Sequence, residues 1–168
     1  CLEFAILTAT RSGEARGLRW AELDLDAALW TIPATRMKAN KAHTVPLSTQ
    51  ALALLRKIPK FTNDYVFPAV RQGQLSDMTL TAVLRRMGVT VQVDGVSRCV
   101  TTHGFRSTFR DWAANCTAYD RQTCEHALAH QLPYKVEAAY QRSTLLDKRK
   151  GLMQAWADRC DALDGEFL

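Results

Sequence analysis

Six residues of this 168-residue chain carry side chains able to act on a phosphodiester, and their order matters more than any one of them. Arg11 stands in Thr8-Ala9-Thr10-Arg11-Ser12-Gly13-Glu14, and Lys38 lies before Val45-Pro46-Leu47. His103 and Arg106 form a His-x-x-Arg pair, His130 ends Leu128-Ala129-His130, and Tyr140 follows ten residues later. A phosphodiester carries one negative charge and gains about another as a nucleophile adds to phosphorus. Arginine suits that geometry, because its planar, permanently charged group grips two oxygens at once. A phenol with a pKa near 10 is ionised to only about one part in a thousand at pH 7. Tyr140 would therefore need cations to favour the phenolate and a base to take its proton. The ordered set suits cleavage of a phosphodiester through a covalent tyrosyl link.

Each member alone has an ordinary explanation. A single arginine is most often a surface ion pair. A single histidine is most often hydrogen-bonded structure, and a single tyrosine is most often packing. Lys38 and Lys41 read as a solvated hairpin tip, and Tyr119 and Tyr134 rival Tyr140. His126 and His130 stand at i,i+4, a spacing that can present two nitrogens to a metal. Glu125 precedes the first histidine, however, so the pattern is not H-E-x-x-H.

The elements that must position these residues follow from patterning. Residues 2–10 and 12–21 read as two short helices, with Ser12 as the second N-cap. Strand formers over 28–47, bounded by Pro33 and Pro46, predict a small antiparallel sheet with a basic turn near Asn40. Ser48 caps a helix over 49–57, and Ser76-Asp77 opens one that Gly88 ends. Val89-Thr90-Val91-Gln92-Val93 meets Asp94-Gly95, a hairpin signal. Helices are expected over 103–115, capped by Thr101 or Thr102, and over 120–129, 133–142 and 145–162. The fold class is mainly α with a small antiparallel β-sheet (α+β). The last helix carries Leu146, Met153, Trp156, Cys160 and Leu163 as one apolar stripe, with basic Lys148-Arg149-Lys150 near its start. That stripe buries Trp156 either on its own domain or on a neighbouring copy.

The composition is that of a globular protein, 47% hydrophobic and 23% charged. A net charge of +5 and a pI near 9.1 favour a polyanionic partner. No apolar run approaches the roughly 20 residues of a membrane span, and no signal-peptide pattern is present. Five scattered cysteines without C-x-x-C argue against a disulfide framework or a zinc ribbon and for reduced, cytosolic thiols. The chain opens at Cys1, and Leu2-Glu3-Phe4-Ala5-Ile6-Leu7 already reads as helix interior, so a piece of a longer protein is expected.

Together these motifs resemble the tyrosine recombinase (phage integrase) family, in particular integrases of prophages and genomic islands. The likeness spans nearly the whole chain, so residues 1–168 are expected to be one catalytic domain without the family's N-terminal DNA-binding parts. Arg11 matches the first family arginine, Lys38 the hairpin lysine, His103 and Arg106 the His-x-x-Arg pair, and His130 the second histidine position. Tyr140, in Ala139-Tyr140-Gln141-Arg142-Ser143, matches the nucleophile. Met153-Gln154-Ala155-Trp156-Ala157-Asp158 resembles the tail of the prophage subgroup. Ala9 and Ala129 replace glycines usual in the family, and Ser107 stands where many members carry a further histidine.

The resemblance implies a 3′-phosphotyrosyl intermediate made by Tyr140. Arg11, Arg106 and His130 would stabilise the phosphoryl oxygens, Lys38 would protonate the leaving 5′-oxygen, and His103 would assist proton transfer at Tyr140. It implies no metal and no other cofactor. The implied partners are double-stranded DNA at attachment sites and other protomers in a DNA-bound tetramer, in the bacterial cytoplasm and away from membranes. Two other readings stand beside it. One is a DNA-binding module without chemistry, and the other is a metal-dependent hydrolase built on His126 and His130.

Overall fold

The computed structural model describes residues 1–60, 64–71, 73–130 and 145–164. Helices α1 (Leu2–Thr8) and α2 (Ser12–Arg16) lead into a three-stranded antiparallel sheet of β1 (Leu23–Asp24), β2 (Leu29–Ile32) and β3 (His43–Pro46). The strand order is β1-β2-β3, so β3 is an edge. Helices α3 (Thr49–Arg56) and α4 (Thr79–Met87) follow, then a hairpin of β4 (Thr90–Val93) and β5 (Val96–Cys99). Helices α5 (Thr102–Cys116), α6 (Arg121–Ala127) and α7 (Leu146–Asp164) complete the described chain. The mainly α arrangement with small antiparallel sheets is the one the patterning predicts. The helix expected over 133–142 lies outside the described residues.

Local chemistry starts and stops most elements. Ser48, Thr101 and Asp120 each accept a backbone N–H, from Ala51, Gly104 and Thr123 at 3.2, 3.0 and 2.7 Å. Asp94 and Gly95 both take positive φ, 51° and 74°, which a two-residue hairpin turn requires.

Three expected element ends are overruled. The second helix ends at Arg16, five residues short of the predicted 21. Arg36 packs against Gly17 so closely that a Cβ there would lie 2.8 Å from its Nη2. The same guanidinium donates to the Glu14 carbonyl at 2.6 Å and pairs with Glu22. The N-cap is Arg11 and not Ser12: Glu14, at the third helical position, accepts the Arg11 N–H at 2.9 Å. The predicted start of α4 also moves, from Ser76-Asp77 to Thr79.

Two apolar clusters form the core. One gathers Phe4, Leu7, Leu18, Trp30, Ile32, Val45, Leu55 and Leu80 between α1, the sheet, α3 and α4. The other gathers Phe109, Ala113, Leu128, Leu152, Met153 and Trp156 between α5, α6 and α7. Cys160 on α7 packs against both. Trp156 is 4% exposed, stacks near Phe109 and Trp112, and donates Nε1–H to the Ile6 carbonyl at 2.8 Å. Its burial is therefore satisfied within its own domain, without a neighbouring copy.

Both alanines that replace glycine sit in left-handed backbone, Ala9 at φ 49° and Ala129 at φ 48°. That conformation costs an L-residue roughly 1–2 kcal/mol. Glycine returns about 0.5–1 kcal/mol of this through unfolded-chain entropy. Ala129 is half-buried at the margin of the first cluster, so its methyl has less packing to lose than a fully buried one. Ala129→Gly is expected to raise stability by about 0.5 kcal/mol, read by urea denaturation. The 1% exposed Ala9 offers a contrast. There the lost methyl packing, about 0.8 kcal/mol, should cancel the gain.

Candidate active site

Two adjoining clefts meet at Arg11. The first, of about 400 Å³, is lined by Arg11, Met37, Lys38, Ala39, Ala129 and His130. The second, of about 230 Å³, is lined by Thr10, Arg11, Ser12, Thr102, His103 and Arg106. Five of the six residues singled out in the sequence thus share one concavity, from four separate parts of the chain. Tyr140 and its rival Tyr134 lie outside the described residues.

Arg106 is the buried member, 5% exposed on α5. It donates to the Ala9 carbonyl at 2.6 Å and to the Leu128 carbonyl. Those carbonyls belong to the turns that carry Arg11 and His130. Burial lowers the guanidinium pKa to about 10, with the positive charge of Arg11 adding to the effect. Arg106 remains charged at neutral pH.

Arg11 and His130 each have an acidic partner that fixes them. Arg11 donates Nη1–H to Glu14 at 2.9 Å, and Glu14 is 6% exposed. His130 Nδ1 lies 2.5 Å from Glu125, which also accepts from Arg110 Nε at 3.1 Å. Burial raises the Glu125 pKa, but the hydrogen bonds from His130 and Arg110 outweigh it and leave the carboxyl below its ordinary value.

Helix α6 ends in a Schellman turn. The His130 N–H bonds to the Glu125 carbonyl at 3.0 Å and the Ala129 N–H to the His126 carbonyl at 3.1 Å. This turn brings the His130 ring back onto Glu125. It also takes His130 off the helix face of His126, so the i,i+4 metal reading loses its geometric basis. Among the described residues no group of three metal-ligating side chains forms.

Lys38 is exposed in the loop between β2 and β3, next to buried Met37. His103 is exposed in the first turn of α5. Among the described residues no helix is long and apolar enough to cross a membrane.

Sequence reasoning passed over four residues around the site. Glu14 and Glu125 were read only as parts of motifs, although each stands within five residues of the cation it holds. His43 sits on the core face of the sheet, opposite Ile32, and its Nε2 is buried without a hydrogen bond. Arg149 is 2% exposed and donates to the Thr44 carbonyl at 2.7 Å. Its signal was its spacing, since it falls between Leu146 and Met153 on the apolar stripe.

A chain with this fold and this cluster of cations has known relatives. The phage integrase family model matches residues 1–145, and the chain belongs to that family. It is 39% identical over 163 residues to prophage integrase IntA of Escherichia coli (strain K12), covering 95% of this chain and 38% of that protein. It is 34% identical to the integrase of Enterobacteria phage P4 over 99% of this chain and 41% of that one. The chain spans about two-fifths of the length of these curated relatives. The integrase from mycobacterium phage Brujita shares the fold at a TM-score of 0.64, with 21% identity over 91% of this chain and 50% of that one. The Tn1549 transposon integrase, solved in complex with transposon right end DNA, shares it at 0.57, with 13% identity over 90% and 56%.

Burial lowers the His43 pKa to about 4, helped by the charges of Arg149, Arg106 and His126 and opposed by the Ala127 carbonyl. The ordinary value is 6.5, so between these limits the unfolded chain binds a proton that the folded one refuses. Stability should therefore fall as pH drops from about 6.5 towards about 4. With partial exposure discounted, the loss is about 1–3 kcal/mol. His43→Asn should flatten this slope in denaturation curves taken from pH 7 to 4. An unchanged slope would assign the acid sensitivity to the carboxylates.

Proposed function

We propose that this chain is the catalytic domain of a site-specific DNA recombinase that cleaves and rejoins DNA through a 3′-phosphotyrosyl intermediate. The observation that supports this reading is the convergence of Arg11, Lys38, His103, Arg106 and His130 on one concavity. A phosphate seated there would meet two guanidinium groups and an imidazole. Each such donor, aimed where charge develops, is worth roughly 3–4 kcal/mol of barrier.

In this mechanism Tyr140 attacks the scissile phosphorus. His103 takes part in removing the phenolic proton, and Arg11, Arg106 and His130 hold the non-bridging oxygens. Glu125 keeps the His130 ring turned by its Nδ1, which leaves Nε2 for the phosphate. Lys38, on its exposed loop, gives a proton to the departing 5′-oxygen. The covalent link conserves the bond energy, so rejoining needs no metal and no nucleotide. The substrate is double-stranded DNA at attachment sites, in the bacterial cytoplasm, and strand exchange would use further protomers assembled on DNA as a tetramer. The integrase relatives and the DNA-bound Tn1549 neighbour support this choice of substrate.

Tyr140→Phe should abolish the covalent adduct on a suicide DNA duplex while leaving DNA binding and the fold intact. Adduct persisting in that variant, mapped to Tyr134, would reassign the nucleophile. No adduct from the unmodified protein would favour a binding module without chemistry.

Lys38→Ala should slow cleavage of ordinary DNA by about a hundredfold or more. A 5′-bridging phosphorothiolate has a leaving group that needs no proton. That substrate should restore cleavage by Lys38→Ala but not by Arg106→Ala. Failure of the restoration would make Lys38 a plain phosphate contact.

A further inference from the structure

Arg149 is a buried cation where the helix pattern calls for an aliphatic residue. It lies between Leu146 and Met153 on the inner face of α7, and its neighbours in sequence, Lys148 and Lys150, are solvent-exposed. Removing a guanidinium from water is unfavourable unless its donors are well used, and a leucine or methionine would complete the stripe without that cost. The position therefore asks what the charge and the donors do.

One donor acts on the sheet. β3 is the edge strand, and an edge leaves backbone groups without strand partners. Arg149 donates to one of them, the Thr44 carbonyl, at 2.7 Å. Thr44 pairs with Thr31 of β2, and His43 beside it pairs with Ile32. The chain just before His43 is the loop that presents Lys38 to the larger cleft. The other wall of that cleft is the Ala129-His130 turn at the end of α6. Lys148 ties the same stretch of α7 to Asp120, the N-cap of α6, at 3.0 Å. Adjacent residues of one helix turn thus hold the sheet edge behind Lys38 and the helix that ends at His130.

We propose that Arg149 is a positioning residue for the proton donor. By holding the edge of β3 it sets where the Lys38 loop stands relative to the phosphate-binding groups. This inference rests on the reading of Lys38 as the leaving-group acid. It predicts a specific defect, namely loss of proton delivery with phosphate binding and the rest of the chemistry retained. Burial lowers the Arg149 pKa, and the group still holds its charge near His43, which stays neutral above about pH 4.

The test measures single-turnover cleavage by the intact protein carrying Arg149→Met, on ordinary DNA and on the 5′-bridging phosphorothiolate, beside DNA affinity and thermal melting. Ordinary DNA should be cut at least about tenfold more slowly, the phosphorothiolate within about threefold of the unmodified protein, and DNA affinity should hold. Equal slowing on both substrates would make Arg149 a general stability residue and overturn the proposal. So would unimpaired cleavage of both. If Arg149→Met does not fold, Arg149→Gln is judged by the same two criteria, because it keeps a donor of shorter reach. Lys38→Ala run in parallel separates the two ideas. If the phosphorothiolate fails to restore Lys38→Ala, the assignment of Lys38 is at fault. If it restores Lys38→Ala but not the Arg149 variant, only the positioning role falls.

Discussion

A single buried guanidinium holds the site together. Arg106 bonds at once to the carbonyls of Ala9 and Leu128, which lie 119 residues apart in the chain and meet in one apolar cluster. Only arginine can do this, because its donors diverge in one plane and it keeps its charge when buried. The turns it ties together carry Arg11 and His130. The cations facing the cleft therefore take their separation from Arg106. The same burial has an electrostatic consequence. Arg11 and Arg106 repel each other in a partly desolvated space, which contributes to the lowered pKa of Arg106. An anion between them would relieve that repulsion, so the folded cleft is organised for negative charge.

The acidic residues are spent on orientation and not on neutralising the cleft. Glu14 is turned onto Arg11 and its backbone N–H, and Glu125 onto His130 and Arg110. Both are nearly buried, so their rotamers are fixed by packing. A long cation held this way has already lost the freedom it would otherwise lose on binding phosphate. Lys38 differs. It has an exposed loop position and only Met37 as a buried anchor beside it. If Lys38 is the proton donor proposed above, its placement depends on how the base of its loop is held.

What could be read from the sequence divides along one line. Features decided within a few residues were legible. The caps at Ser48 and Thr101, the Asp94-Gly95 turn and the strands around Pro33 and Pro46 all rest on local chemistry, and they fall where expected. Five of the six residues singled out through family resemblance line adjoining clefts, a meeting point that required the fold, and Tyr140 lies outside the described residues. Features decided by distant contacts were not legible. The end of α2 depends on Arg36, about twenty residues onward; the N-cap shift is a local exception, set by Glu14 three residues from Arg11. Lys148-Arg149-Lys150 reads in the sequence only as a basic run near the start of the last helix. Helix geometry splits it, sending the middle residue inward and the outer two to water.

The two alanines in left-handed backbone bear on how the site keeps its shape. A left-handed alanine is held against its own preference, and the hold must come from contacts around it. At both turns the same contact is available, since Arg106 grips the carbonyl of Ala9 and the carbonyl just before Ala129. With glycine at these positions the turns would be cheap to form and cheap to deform. With alanine the peptide units have fewer alternatives, and the grip of Arg106 selects between a strained turn and no turn at all. The cleft-facing ends of Arg11 and His130 are then coupled to the backbone state of the turns that carry them. In this chain Arg106 is consequently both a cleft-lining cation and the clamp on two strained turns, and removing it would take away charge and geometry together.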